Sequence, residues 1–192
     1  VSSPDAVFAR AQDALARGDW EAFFACLDRT ELLVIARNSA KALAATPADP
    51  ASPTAALFAA HGFPLDLLRA RGQEIIDSAR AMLDDPTPLA ARMEQSLRHH
   101  ELVKRYDETL ESGLRGVTDL AAFTAGLERA MRAAAGGGSV SARLFADETL
   151  TDVVIEGSKA RGRRRRPDGG HEEIAFVKKK RDWYIRLPKR RL

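Results

Sequence analysis

Residues 153–187 read VVIEGSKARGRRRRPDGGHEEIAFVKKKRDWYIRL, and this stretch decides the fold. Apolar or small side chains alternate there with charged ones at a period of two, the pattern of half-buried strands. Pro167-Asp168-Gly169-Gly170 interrupts the alternation with residues that turns require. A short aromatic run, Trp183-Tyr184-Ile185, closes it. These features predict strands over Thr151–Arg165, Glu172–Lys180 and Trp183–Leu187 in an antiparallel meander, with a further strand before them at Ser139–Phe145. After the turn, Ile174, Phe176 and Lys178 share one face and Ala175 and Val177 the other. Trp183 and Tyr184 alternate, so one points to the core and the other lies half-exposed.

Upstream the period changes to that of helices. Ser2-Ser3-Pro4-Asp5 supplies a capping serine, a proline in the first turn and an acid behind it. Val7, Phe8, Ala11, Ala14 and Leu15 then fall on one face, and Gly18 stops the helix. Asp19 caps a short aromatic helix through Trp20, Phe23, Phe24 and Leu27. A third helix runs to Ala45. Pro47, Pro50 and Pro53 forbid its continuation, because each removes a donor and clashes with the preceding turn. Helical patterning resumes from Thr54 to Gly136, with breaks expected at His61–Pro64, Asp85–Pro88 and Gly113–Gly116. Leu67, Leu68, Ile75, Ile76, Ala79, Met82 and Leu83 form one apolar stripe. Met93, Leu97, Leu102, Tyr106 and Leu110 form a second, and Leu120, Phe123, Leu127 and Met131 a third. The predicted class is α+β: N-terminal helices packed on a C-terminal curved antiparallel meander. We read one domain over residues 1–192, with opening helices at 1–45, a helical insertion at 54–136 and the sheet at 139–188.

The 192 residues are 45% hydrophobic and 30% charged, the balance of a soluble globular chain with a core of its own. No apolar run approaches the roughly 20 residues of a membrane helix. Cys26 is the only cysteine, so no internal disulfide forms. Its place in Phe23-Phe24-Ala25-Cys26-Leu27 reads as a small core hydrophobe. A lone thiol suits a reducing cytoplasm, where we expect the protein, although Val1 in place of Met leaves a removed leader open. The Ala- and Arg-rich composition suggests a bacterial source.

Charge is unevenly spread. Residues 1–152 hold 16 Lys and Arg against 22 Asp and Glu, whereas residues 153–192 hold 14 against 5. The basic cluster comprises Arg161, Arg163, Arg164, Arg165, Arg166, Lys178, Lys179 and Lys180. Arg161, Arg163 and Arg165 project from one strand face, Arg164 and Arg166 from the other. Such a cluster could hold phosphates or an acidic protein. Three plainer roles compete: solvation, guarding the sheet edge, and cross-strand pairing with Glu172 and Glu173. Aromatics are not interleaved with the arginines as base stacking would need, which disfavours nucleic acid.

Catalytic and metal motifs are missing from the chain. There is no HxxxH, CxxC or DxDxDG spacing, and Gly136-Gly137-Gly138-Ser139 leaves a helix and lacks the phosphate-binding lysine. No cofactor is implied. His99 and His100 are neighbours, so on a helix they point about 100° apart and cannot share one metal. His61, beside Gly62, reads as a helix exit. The remaining acid–base candidates are Tyr106, Asp107 and Tyr184, with His99 and His100, and none sits in a catalytic motif.

Arg17-Gly18-Asp19-Trp20 opens into an aromatic helix. Gly157-x-x-Ala160, Ile174-Ala175-Phe176-Val177-Lys178 and Asp182-Trp183-Tyr184-Ile185 follow much later. Over Ser2–Leu27 and Val153–Leu187 these resemble the nuclear transport factor 2-like superfamily. The resemblance implies helices on a strongly curved sheet around a cone-shaped pocket, here walled by Trp20, Phe24, Tyr106, Phe176, Trp183 and Tyr184. The chain departs from the family pattern in its long helical middle, where members place few residues. The expected function is a non-catalytic binding or protein-interaction module, with a protein partner, a homodimer or an apolar small molecule as partner. The alternatives are an isomerase- or dehydratase-like enzyme using the cone pocket, and an electrostatic binder acting through the basic hairpin.

Overall fold

The computed structural model describes residues 3–46, 49, 51–84, 89–135, 145 and 147–187. Seven helices among them precede four strands: α1 Pro4–Ala16, α2 Trp20–Phe24, α3 Arg29–Ala45, α4 Pro53–Ala60, α5 Leu65–Asp84, α6 Leu89–Gly116 and α7 Leu120–Ala134, then β1 Thr149–Glu156, β2 Lys159–Arg165, β3 His171–Lys179 and β4 Asp182–Arg186. The class is α+β, with an open antiparallel sheet in the order β1-β2-β3-β4. The chain divides into two compact units, one of Val1–Ile35 with Leu120–Leu192, the other of Ala36–Asp119.

In the first unit the local signals act as the sequence suggests. Ser3 accepts from the Ala6 amide at 3.1 Å with Pro4 behind it, and Asp19 accepts from the Ala22 amide at 3.0 Å. Each satisfies a donor that the first helical turn leaves unpaired. Gly18, at φ 69, turns the chain between α1 and α2. Helices α1 and α2 pack together, α1 also lies on β4 and β1, and α7 packs on α2. The sequence places α7 in the helical insertion; its buried Leu120, Phe123 and Leu127 instead belong to the unit that holds the sheet.

The long strand expected over Thr151–Arg165 is a hairpin. Gly157, at φ 63, turns the chain with Ser158, and β2 folds back so that Ile155 faces Ala160 and Glu156 faces Lys159. A bulge between Thr151 and Val154 sets Asp152 at φ 56 and bends β1. The inward row of the sheet is Ala160, Gly162, Arg164, Ile174, Phe176, Trp183 and Ile185, all buried. Trp183 is the core member of its pair and Tyr184 the half-buried one. The strand expected at Ser139–Phe145 lies outside the described residues except for Phe145. That residue is buried at φ 65, a left-handed conformation costly for a bulky side chain. The Gln12 amide donates to the carbonyls of Phe145 and Glu148 at 2.9 and 2.7 Å and holds this corner.

At the other margin of the sheet, Cys26–Asp28 lies parallel to β4. The Ile185 amide donates to the Cys26 carbonyl, and the Asp28 amide to the Ile185 carbonyl, both at 2.8 Å. This segment covers backbone groups that β4 would otherwise present to another chain.

In the second unit α5 and α6 pair as an antiparallel hairpin: Arg71 bonds Arg105 and Thr109, while Ser78 meets His99. Helix α6 runs through Gly113 rather than breaking there. A Cβ at Gly113 would lie 2.8 Å from Phe63 Cε2 and 2.9 Å from Pro64 Cδ, so the glycine admits a close crossing. The apolar stripes are only partly covered. Leu83, Met93 and Leu97 are 86%, 63% and 70% exposed, and Ile76 and Leu67 are exposed as well.

Candidate functional site

Four of the eight residues of the basic cluster, Arg161, Arg164, Arg166 and Lys179, stand within ion-pair distance of a carboxylate. Arg164, at core parity on β2, is 6% exposed and donates to Glu148 at 3.2 Å and to Glu172. Its guanidinium also stands 5.1 Å from the Phe145 ring. Burial pushes the Glu148 carboxyl above its usual range; the Arg164 charge and hydrogen bond pull it down without cancelling the shift, and Glu172 adds to it. On the outer face, Arg161 pairs with Glu156 at 3.5 Å, and Arg166 with Asp168 at 3.6 Å at the turn. Lys178 stands 6.0 Å over the Trp183 ring, and Lys180 occupies the β3–β4 turn at φ 57. Arg163 and Arg165 are exposed on the outer face beside Arg161.

A second ionic centre was not foreseen. Asp28 is fully buried, and its two oxygens accept from Lys179 and, at 3.1 Å, from Arg186. Burial alone would raise its carboxyl, but hydrogen bonds from and the charges of Lys179 and Arg186 outweigh it and hold the group below the usual range. Arg186 registers with Ala175, and Ala175 with Arg161, so the outer face carries Arg161, Arg163, Arg165 and Arg186 together with Tyr184. A depression of about 490 Å³ on this face has Arg161 and Arg163 in its lining, but also Asp152, Glu156 and Glu173. That mixture does not select an anion.

The six residues expected to wall a pocket are distributed as follows. Trp20, Phe24, Phe176 and Trp183 are buried in the first unit. Trp20 carries Arg132 at 3.9 Å over its ring and meets Phe23 edge-on. Tyr184 lies half-buried on the outer sheet face, and Tyr106 is in the second unit. Asp107, His99 and His100 belong to that unit too. Asp107 takes Lys41 at 2.8 Å and Arg37 at 3.1 Å; hydrogen bonds from Lys41 lead, against the opposing effect of burial, in holding its carboxyl low. His99 lies 3.3 Å from Ser78, and His100 is exposed. Among the described residues no cluster of three or more His, Cys, Asp or Glu could hold a metal ion.

Cys26 is buried, with Sγ 3.3 Å from both the Ala22 carbonyl and Arg10 Nε. Burial pushes its thiol up, against the opposing hydrogen bond and charge of Arg10. Burial and a raised thiol both lower the reactivity of such a cysteine.

One concave feature of the second unit is a groove of about 510 Å³ with Ala44, Leu68, Ile75, Ile76, Tyr106 and Arg69 in its lining. Burial raises the Tyr106 phenol, and the Asp107 charge adds to the shift. Lys41 stands 5.5 Å over the Tyr106 ring. Arg69 is the one charged side chain among the described lining residues. Its Nε is buried without a hydrogen-bond partner, and Nη2 reaches the Thr46 carbonyl only at 3.4 Å.

No helix of the described residues is long and apolar enough to cross a membrane. Comparison of the chain with protein-family models, with curated proteins and with solved structures gives no match.

Proposed function

We propose that this protein is a non-catalytic interaction module of the nuclear transport factor 2-like type, and that it works as a homodimer through its helical unit. One observation carries the reading: the α5–α6 hairpin leaves large apolar side chains in water. Leu83 lies near the end of α5, and Met93 and Leu97, four apart on α6, share a helix face. The antiparallel pairing of Arg71 with Arg105 and of Ser78 with His99 brings Leu83, Met93 and Leu97 to the same end of the hairpin. Exposed apolar surface of this kind marks a site of association.

The surrounding charge favours a second copy of the chain. Asp77, Glu94 and Glu101 are matched in number by Arg80, Arg92 and Arg98, all exposed. Glu94 already pairs with Arg98 at 2.5 Å, and Glu101 with Arg105 at 3.3 Å. A surface balanced in this way neither selects an oppositely charged partner nor repels its own copy, as a self-complementary twofold contact requires.

The family type rests on the helices α1 and α2 preceding a four-stranded meander that ends in Trp183. The non-catalytic reading rests on the pairing of the buried ionic groups: Asp28 with Lys179 and Arg186, and Glu148 with Arg164. Light scattering of the purified chain at about 100 μM tests the proposal. A dimer is expected, and Leu83→Glu with Leu97→Glu should return it to a monomer with unchanged helix content. A wild-type monomer at that concentration overturns it.

A further inference from the structure

We infer that the groove on the helical unit is a binding site for a small amphipathic carboxylate: an apolar body lying on Leu68, Ile75, Ile76 and Tyr106, with its anionic head on Arg69. The inference goes beyond the interaction module proposed above and does not depend on it.

Two observations point to this ligand class. The first is Arg69 itself. Its neighbour Arg71 is satisfied by the Arg105 carbonyl at 2.6 Å and by Thr109, whereas Arg69 keeps a buried Nε–H with no acceptor. Arg69 is the one charged side chain among the described residues lining the groove, and a guanidinium holds a carboxylate through two parallel hydrogen bonds. Apart from Arg69, the lining supplies apolar surface, Thr46, Gln73 and the Tyr106 ring, and Gln73 already donates to Asp77 at 2.8 Å. Among the described residues no carboxylate lines the groove.

The second observation is Gly72, in the interior of α5, where glycine weakens a helix. A Cβ there would stand 3.5 Å from Tyr106 Cε2, an ordinary contact, so the crossing of α5 on α6 does not require glycine. Gly72 lines the groove, and a longer side chain there would occupy it beside the Tyr106 ring. A volume of about 510 Å³ lies within the range of small-molecule sites.

Calorimetric titration of the full chain with decanoate, and separately with 1-decanol, both below their aggregation limits, tests the site. Decanoate should bind once per chain, and Arg69→Gln should weaken it by about tenfold or more, the usual scale for loss of a charge-assisted hydrogen bond. Decanol should bind more weakly and show no response to Arg69→Gln. Gly72→Leu, which leaves Arg69 in place and favours the helix, should abolish both. Circular dichroism verifies that each variant is folded. Decanol binding as tightly as decanoate overturns the inference. So does decanoate binding indifferent to Arg69→Gln, or no saturable binding by the wild type. Self-association is read at Leu83 and Leu97 and ligand binding at Arg69 and Gly72, so either proposal can fail while the other stands.

Discussion

Arg186 Nε lies 3.1 Å from the carboxylate of Asp28, a fully buried acid 158 residues earlier in the chain. With Lys179 on its other oxygen, this contact ties the segment after α2 to the last two strands. Replacing Asp28 by Asn should cost about 1–3 kcal/mol at pH 7, since Lys179 and Arg186 are half-exposed and regain water when the acid is lost.

The same acid sets a pH dependence. The Asp28 carboxyl is held low in the folded protein, so its contribution is complete above the ordinary aspartate value of about 3.9 and disappears as pH falls through the lower folded value. The Glu148 carboxyl is raised, so its contribution is complete below the ordinary glutamate value of about 4.3 and is lost as pH rises through the folded one. Urea unfolding across the acid range should therefore show opposite slopes. The stability gap between wild type and Asp28→Asn should widen with rising pH, while that between wild type and Glu148→Gln should narrow.

Neighbouring arginines on β2 should behave unlike one another. Arg164→Met strands Glu148 in the core and should cost about 3–5 kcal/mol, the scale of a broken buried ion pair. Arg163→Met, on the outer face, should stay within about 0.5 kcal/mol. Joining Arg164→Met with Glu148→Leu should recover much of the loss, because no buried charge is then left alone. Denaturant midpoints of the four proteins decide the matter.

Two glycines in helices should respond to alanine with opposite signs. Gly72→Ala places a methyl at ordinary contact distance and should raise stability by about 0.5–1 kcal/mol through helix propensity. Gly113→Ala drives its methyl into Phe63 and Pro64 and should lower stability by about 1–3 kcal/mol. Thermal midpoints suffice to read both signs.

Cys26 should resist a thiol-directed reagent in the native protein and react fully in denaturant, as its burial and raised thiol require. Rapid native labelling would show that the α2 corner opens readily.

The strands were legible because their inward positions carry Ile174, Phe176, Trp183 and Ile185 at a strict period of two. The hairpin turn at Gly157-Ser158 was not: Val153-Val154-Ile155 before it is a continuous apolar run and the residues after it are charged or small, so no shared stripe registers the reversal. Arg164 was half legible, since it shares parity with Ala160 and Gly162 and so had to face inward. Its acceptor Glu148 and the Asp28 clamp were beyond reach, because no local pattern marks partners 16 to 158 residues apart. In the helical unit, periodicity found the stripes through Leu83 and through Met93 and Leu97. It could not show that the stripes exceed what α5 and α6 cover between them. Arg69 carried no signal at all; it looks like any solvated helix arginine until its neighbours are placed.

The tie between Cys26–Asp28 and β4 has a consequence for synthesis. At about 5–20 residues per second, Arg186 leaves the ribosome roughly ten to thirty seconds after Asp28. Within that interval α5 and α6 are completed and can pair through contacts close in sequence, whereas Asp28 precedes its native partners Lys179 and Arg186 by about 150 residues. The helical unit is thus free to form while the other still lacks its last strands.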